Sequence, residues 1–412
     1  MLLIQTNKNI QVNLKQIPSG TKCVCLDHVA HVLKDKITVI AKPDFSQTRY
    51  GLRKLKSNQI PGQPINVAIF NGVGTGYGDL ICGTVAIKAL YACLRDNNFK
   101  PAINLVYEPS REKQYAGIFG GLMIAENGYP GIMTLAEFEE MDLCITTEGL
   151  LDDGNFDTTN MIDYFLMRFG IRPVEKINKT PLVKIDCHAN MLVEREVEKY
   201  RAKDCKKKVV LLNFFASGIR RFPKHTWTDF VNECLKSNMI VIINGAGHKD
   251  KMFSDWAKKT KVFERDNVYS AENITANGWE YLVSLVNNVD LVITPDTSLV
   301  HVCGALCKPC VAVFYSIDPV LRTVYYPTVI PYCPSQFRSG HYWGKHKIMP
   351  GDMPNIDPIK WDKYKPKFIS GTISNMKINP INWVGEEDKL WMHPWRRVKA
   401  SSVIGLANRV IK

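Results

Sequence analysis

Short apolar runs alternate with helix-length amphipathic stretches along most of this chain, and that alternation admits few folds. The first train reads as strand over 67–70, helix over 80–96, strands over 103–107 and 143–146, and helix over 158–169. A second train begins at Val209, with strands over 209–214, 240–244, 267–269, 289–293 and 310–314. Helical stretches over 227–236, 249–259, 279–287 and 299–306 lie between them. Unbroken Val, Ile and Leu runs belong to strands buried on both faces, as in a parallel sheet covered by helices. Two such trains in 412 residues predict an α/β chain of two Rossmann-like domains.

The rest of the chain divides around these trains. Residues 1–64 carry strand-like pieces at 22–26 and 37–41, with breakers at Pro43, Gly51, Pro61, Gly62 and Pro64. They predict a small β-rich addition. The first domain then runs over 65–187 and the second over 188–330. A proline- and charge-marked stretch from Arg172 to about Lys208, with a helix over 191–203, is the candidate linker. The extension over 331–412 differs in kind. From His341 onward it holds 13 basic and 6 acidic residues and five of the eight tryptophans, Trp343, Trp361, Trp383, Trp391 and Trp395. Packing of those rings back onto the first domain is the expectation. The alternative is a basic, aromatic arm for nucleic acid or lipid headgroups.

The net charge of +13 favours an anionic partner: nucleic acid, a phosphorylated glycolipid, a membrane surface or a nucleotide-sugar. The start of the chain has no long apolar core of a signal peptide, and no run approaches the ~18 apolar residues of a membrane span. The chain therefore reads as cytoplasmic, with peripheral membrane contact as an option. Most of its twelve cysteines sit in apolar strands and helices, as reduced, buried thiols do. Cys307-Lys-Pro-Cys310 is a lone C-x-x-C without a second pair, so no metal site is expected there.

Two stretches carry chemistry. In Thr294-Pro-Asp-Thr-Ser-Leu-Val-His301, a buried strand hands over to a helix through Asp296, Thr297 and Ser298. The backbone N–H groups and positive end of such a helix form an anion cradle, and open α/β sheets bind ligands at this edge. The other is Gly72-Val-Gly-Thr-Gly-Tyr-Gly-Asp79. It fails the G-x-G-x-x-G dinucleotide pattern because Tyr77 or Asp79 stands where glycine is required. It lets backbone approach a substrate closely and puts Asp79 at a helix start, where it reads as either a general base or a plain N-cap.

Four segments, in order, resemble the heptosyltransferases, bacterial glycosyltransferases of family nine with the GT-B fold. They are 67–81 with its Gly-Asp turn, 211–223, Ile240-Val-Ile-Ile-Asn-Gly-Ala-Gly247, and Asp296-Thr-Ser-Leu-Val-His301 followed by 311–319. The resemblance covers roughly residues 65 to 325. It implies two Rossmann-like domains facing a cleft and inverting, metal-independent sugar transfer. The donor is a nucleotide-diphosphate sugar, which acts as co-substrate with no other cofactor. Asp79 aligns with the family's proposed base, and Gly76, Tyr77 and Gly78 form the acceptor-side loop. Arg220, Gly245, Asp296, Thr297, Ser298 and His301 align with the donor site. Arg220 stands where the family usually has lysine, and Ser298 where it usually has glycine. One branch of the family adds N-terminal sequence and cysteine-bound iron. This chain has the extra N-terminus but no cysteine after Cys333. The acceptor implied is a lipopolysaccharide core or a protein hydroxyl. The alternatives are a phage-type transferase acting on hydroxymethylated DNA bases, and an inactive nucleotide or nucleic-acid binding module.

Overall fold

The computed structural model describes residues 2–41, 62, 64–71, 74, 76–120, 122, 127–147, 159–173, 177–216, 220–222, 224–245, 250–276, 278–314, 319–332 and 398–411. The chain divides into two units, Met1–Asp153 with Met161–Lys184, and Gly154–Asn160 with Ile185–Lys412.

The first unit opens with β1 (Leu2–Thr6), the hairpin β2 (Ile10–Val12) and β3 (Lys15–Ile17), β4 (Lys22–Cys25), α1 (Asp27–Val32) and β5 (Ile37–Ala41). Then come β6 (Pro64–Phe70), α2 (Tyr77–Asp96), β7 (Lys100–Tyr107), α3 (Glu112–Phe119), β8 (Asn127–Pro130), β9 (Ile132–Thr134), α4 (Leu135–Glu139), β10 (Leu143–Thr146) and α5 (Met161–Arg168). A parallel sheet forms in the order β10-β6-β7-β8. The N-terminal strands are not a separate piece. They make an antiparallel sheet in the order β5-β1-β4-β9, in which β9 is drawn from beyond residue 64 and Cys25 faces Ile132. Ile4, Cys23, Cys25 and Leu26 share one core with Ala68, Phe70, Val106 and Ile132. So small a sheet has too little apolar surface to close a core of its own, so it borrows one.

Helix α2 has the length and mean hydropathy of a membrane span, although Asp79 and Lys88 interrupt its apolar residues. Its Leu80, Ile81, Val85, Ile87 and Leu90 are buried within the unit, the pattern of a core helix.

The second unit comprises α6 (Cys187–Arg201), β11 (Lys208–Asn213), α7 (Lys224–Lys236), β12 (Met239–Asn244), α8 (Lys251–Thr260), β13 (Val268–Ser270), α9 (Glu272–Thr275), α10 (Trp279–Asn288), β14 (Leu291–Pro295), α11 (Ser298–Ala305), β15 (Cys310–Val313), α12 (Val320–Thr323), β16 (Val329–Tyr332) and α13 (Ala400–Val410). Its six strands are all parallel, in the order β13-β12-β11-β14-β15-β16. This is the Rossmann order, which reverses between β11 and β14 and leaves a crevice at their carboxyl ends.

Two expectations change here. The helix assigned to a linker is α6 and belongs to the second unit. Asp186 caps it by accepting from the Ala189 amide at 2.9 Å, and Asn190 Oδ1 accepts from the side-chain amides of Asn287 and Asn288 at 3.1 and 2.9 Å. The end of the C-terminal extension packs on the second unit, not the first. Ala400, Val403, Ile404 and Ala407 recur at helical spacing and enter the same core as Val231 and Cys234. Asn408 donates to Ser237 Oγ at 3.2 Å. The five tryptophans of the extension lie outside the described residues.

Candidate active site

In the first unit, the loop after β6 leads into α2. Asn71 and Gly74 both have positive φ, 61° and 95°. The Gly74 amide donates to the Asn71 carbonyl at 3.1 Å, closing a tight turn. Gly74 must be glycine for a second reason: a Cβ there would lie 2.8 Å from Cβ of Asp79. Asp79 sits in the first turn of α2, and its Oδ2 accepts from the Gly76 amide at 3.1 Å. The carboxylate closes a capping box, and a helix N-terminus favours negative charge. Asp79, Tyr77 and Gly78 are half-buried, and Gly76 is exposed. The loop lies at the carboxyl end of β6, next to Thr147, whose amide donates to the Phe70 carbonyl at 3.1 Å.

In the second unit, a polar ladder runs across the carboxyl ends of three strands. Asn244 Nδ2 donates to Asn213 Oδ1 at 2.9 Å, and Asn213 Nδ2 donates to Thr294 Oγ1 at 2.9 Å. Thr294 Oγ1 lies 3.0 Å from Thr297 Oγ1. The ladder fixes Thr297 as the N-cap of α11, where its hydroxyl accepts from the Leu299 amide at 3.3 Å. That commits the Leu299 amide to the cap. Ser298, half-buried, is the first residue of the helix. Arg220 pairs with Asp296, Nη1 to Oδ2 at 3.4 Å, and both side chains are largely buried. A carboxylate repels a diphosphate, so the chemistry open to Asp296 is to hold the guanidinium in place. Arg221 is engaged elsewhere, by Asp250, the cap of α8.

His301 is 3% exposed, and its Nδ1 lies 2.9 Å from the Tyr326 hydroxyl. Gly304 makes room for that tyrosine: a Cβ there would stand 2.4 Å from its ring. Burial above all, against the pull of Asp296 and with help from nearby Arg322 and Arg220, brings the His301 pKa down to about 4. The imidazole is therefore neutral and held from within the domain. These effects also place Arg322 among the site charges. It lies on α12, just past β15, and is 8% exposed. Arg220 and Arg322 thus both bear on His301, one turn into α11, and guanidinium groups suit phosphate oxygens.

Gly245, expected on the donor side, has a packing reason to be glycine as well. A Cβ there would fall 2.3 Å from the Phe253 ring, so the glycine admits core packing. The C-x-x-C cysteines do not act as a pair. Cys307 is exposed with φ 51°, while Cys310 is buried beside Cys303, and burial pushes its thiol well above the ordinary range. Among the described residues, no three His, Cys, Asp or Glu side chains gather as metal ligands would. The sequence reading brought out Asp79, Arg220, Asp296, Thr297, Ser298 and His301, and the structure gathers the last five at one edge of the second sheet. It missed Arg322, Asn213, Asn244, Thr294 and Tyr326. The three ladder residues had a visible signal: each is the polar residue at or near the end of an apolar run.

Residues 189–336 match the family described as glycosyltransferase family 9 (heptosyltransferase). No curated protein sequence matches the chain. Among solved structures, a family 9 glycosyl transferase from Veillonella parvula DSM 2008 superposes with TM-score 0.53 at 12% identity, over 85% of this chain and 97% of that one. The E. coli ADP-heptose lipopolysaccharide heptosyltransferase II gives TM-score 0.46 at 11% identity, over 74% of this chain and 98% of that one. The iron-containing dodecameric glycosyltransferase TibC of enterotoxigenic E. coli gives 0.46 at 10%, over 85% and 76%. The Veillonella likeness shows the fold, GT-B, with a Rossmann-type sheet in each unit. Over residues 189–336, within the second unit, the chain is similar to the glycosyltransferases of family 9, the heptosyltransferases.

Proposed function

We propose that this protein transfers a sugar, with inversion and without a metal ion, from a nucleotide-diphosphate sugar to a hydroxyl of an anionic acceptor. The observation that carries the reading is Arg220, held by Asp296, beside the capped amino end of α11 at the sheet's reversal point. Fixed positive groups of this kind stabilise a departing diphosphate without a cation. Asp296 orients Arg220. Thr297 presets the helix end, and the Ser298 amide and hydroxyl face the phosphates. Neutral, buried His301 supports the sugar side of the cradle.

Asp79 is the general base. It takes the proton from the acceptor hydroxyl as the oxygen attacks the anomeric carbon opposite the leaving diphosphate, which inverts the configuration. Gly76, Tyr77 and Gly78 shape the acceptor side. By likeness to the family, the acceptor is a phosphorylated glycolipid core or a protein hydroxyl. The +13 charge also supports a second acceptor, DNA with hydroxymethylated bases.

The test is transfer in the presence of a chelator, with the product's anomeric configuration read by NMR. Retained configuration, or loss of activity that added metal restores, would refute the mechanism. Salt separates the acceptors, because DNA binding weakens with a slope near one per phosphate contacted.

A further inference from the structure

We infer that Tyr115 is a positioning residue for Asp79, acting through the turn that seats it; this rests on the reading of Asp79 as the general base. Tyr115 lies on α3 and is 4% exposed. Its hydroxyl reaches two carbonyl oxygens of the loop after β6, Asn71 at 3.1 Å and Gly74 at 3.0 Å. Those residues carry the positive φ angles, and the Gly74 amide closes the turn on the Asn71 carbonyl. Thr147 Oγ1 reaches the Asn71 carbonyl as well, at 3.4 Å. One phenol thus ties both ends of the turn to the domain.

The phenol is itself held. Its ring stacks on Tyr107 with centroids 4.5 Å apart and lies against Phe119 at 5.6 Å. Tyr107 in turn needs Gly128, where a Cβ would lie 2.8 Å from its ring. A chain of contacts therefore runs from Gly128 through Tyr107 and Tyr115 to Gly74, where any Cβ would press on the Asp79 side chain. Displacing a catalytic group by about 1 Å costs on the order of a hundredfold in rate, so a turn that carries a base gains from being fixed at both ends.

The experiment uses the full chain with Tyr115→Phe, Asp79→Asn and the double variant. Turnover is read as nucleoside diphosphate released from whichever sugar of an ADP-, GDP- and UDP-sugar panel the wild-type protein consumes fastest. Hydrogen exchange is read on the same samples. Tyr115→Phe is expected to lower kcat about ten- to a hundredfold with the donor KM unchanged. It should speed exchange at the Gly74 and Gly76 amides about tenfold while β6 and β7 keep their protection. The double variant should be no slower than Asp79→Asn alone, because a residue that acts only through the base loses its effect once the base is gone. Wild-type kcat with unchanged loop exchange, or losses that multiply in the double variant, would overturn the inference. A near-normal Asp79→Asn would instead remove the base and this inference together, and is distinguishable from a near-normal Tyr115→Phe alone.

Discussion

Acidifying the protein from pH 7.5 to pH 5 should cost the second unit about 2 kcal/mol through His301 alone. In the unfolded chain this imidazole has an ordinary pKa of roughly 6.5. In the fold, burial first and then the two arginines push it down to about 4. Between those values the unfolded chain binds a proton that the native state refuses. Stability therefore falls as pH drops through the window, is fully present above about 6.5, and levels off below about 4 at a loss near 3 kcal/mol. The segments of the first unit contain no tryptophan, whereas Trp227, Trp256 and Trp279 belong to the second, so urea unfolding followed by tryptophan fluorescence does not report the first unit. The pH-induced loss in wild type minus that in His301→Gln isolates the histidine from other titrating groups. A difference of about 2 kcal/mol is expected. Equal pH dependence in the two proteins, or a His301 ring resonance titrating near 6.5, would refute the argument.

Asp79→Asn should keep the fold and donor affinity while transfer falls roughly 10²–10⁴-fold, checked by steady-state kinetics and calorimetry. Arg220→Ala and Arg322→Ala should each weaken nucleoside-diphosphate binding by about 1.5–3 kcal/mol in calorimetry; unchanged affinity would return that arginine to a structural role. Gly304→Ala puts a methyl into the Tyr326 ring, and should lower both the melting temperature and donor affinity; a wild-type melting curve would contradict the packing. Deleting residues 398–412 uncovers the core face that Val403, Ile404 and Ala407 fill, and should lower the melting temperature by about 5 °C or more or leave the protein insoluble.

Most strands of the two parallel sheets were legible because strands buried on both faces read as unbroken apolar runs; the edge strands β8, Asn127–Pro130, and β16, Val329–Tyr332, escaped because proline, with glycine in β8, interrupts them. The donor cradle was legible because Asp296, Thr297 and Ser298 interrupt such a run where a helix must start. What escaped depends on contacts between residues distant in sequence. Nothing in 22–25 says that its partner is Ile132–Thr134, so the N-terminal strands looked like a separate addition. The 400, 403, 404, 407 spacing names an apolar face but not the groove it fills, and that groove lies on the second unit. The Phe253 ring that presses on Gly245 is likewise invisible in sequence. The hydrogen bond that Tyr326 makes to His301 was not legible, because Tyr326 lies beyond the segments that carried the resemblance to the family's site.

The central claim is that the edge between β11 and β14 holds a nucleotide-diphosphate sugar whose sugar Asp79 helps transfer. Mass spectrometry of wild type, Asp79→Asn and Arg220→Ala, each incubated with the panel of ADP-, GDP- and UDP-sugars, tests it most directly. The account predicts that wild type retains and cleaves at least one donor, that Asp79→Asn retains the same donor without cleaving it, and that Arg220→Ala fails to retain it. A wild-type protein that neither retains nor cleaves any of them, or an Asp79→Asn variant that cleaves as fast as wild type, would contradict it.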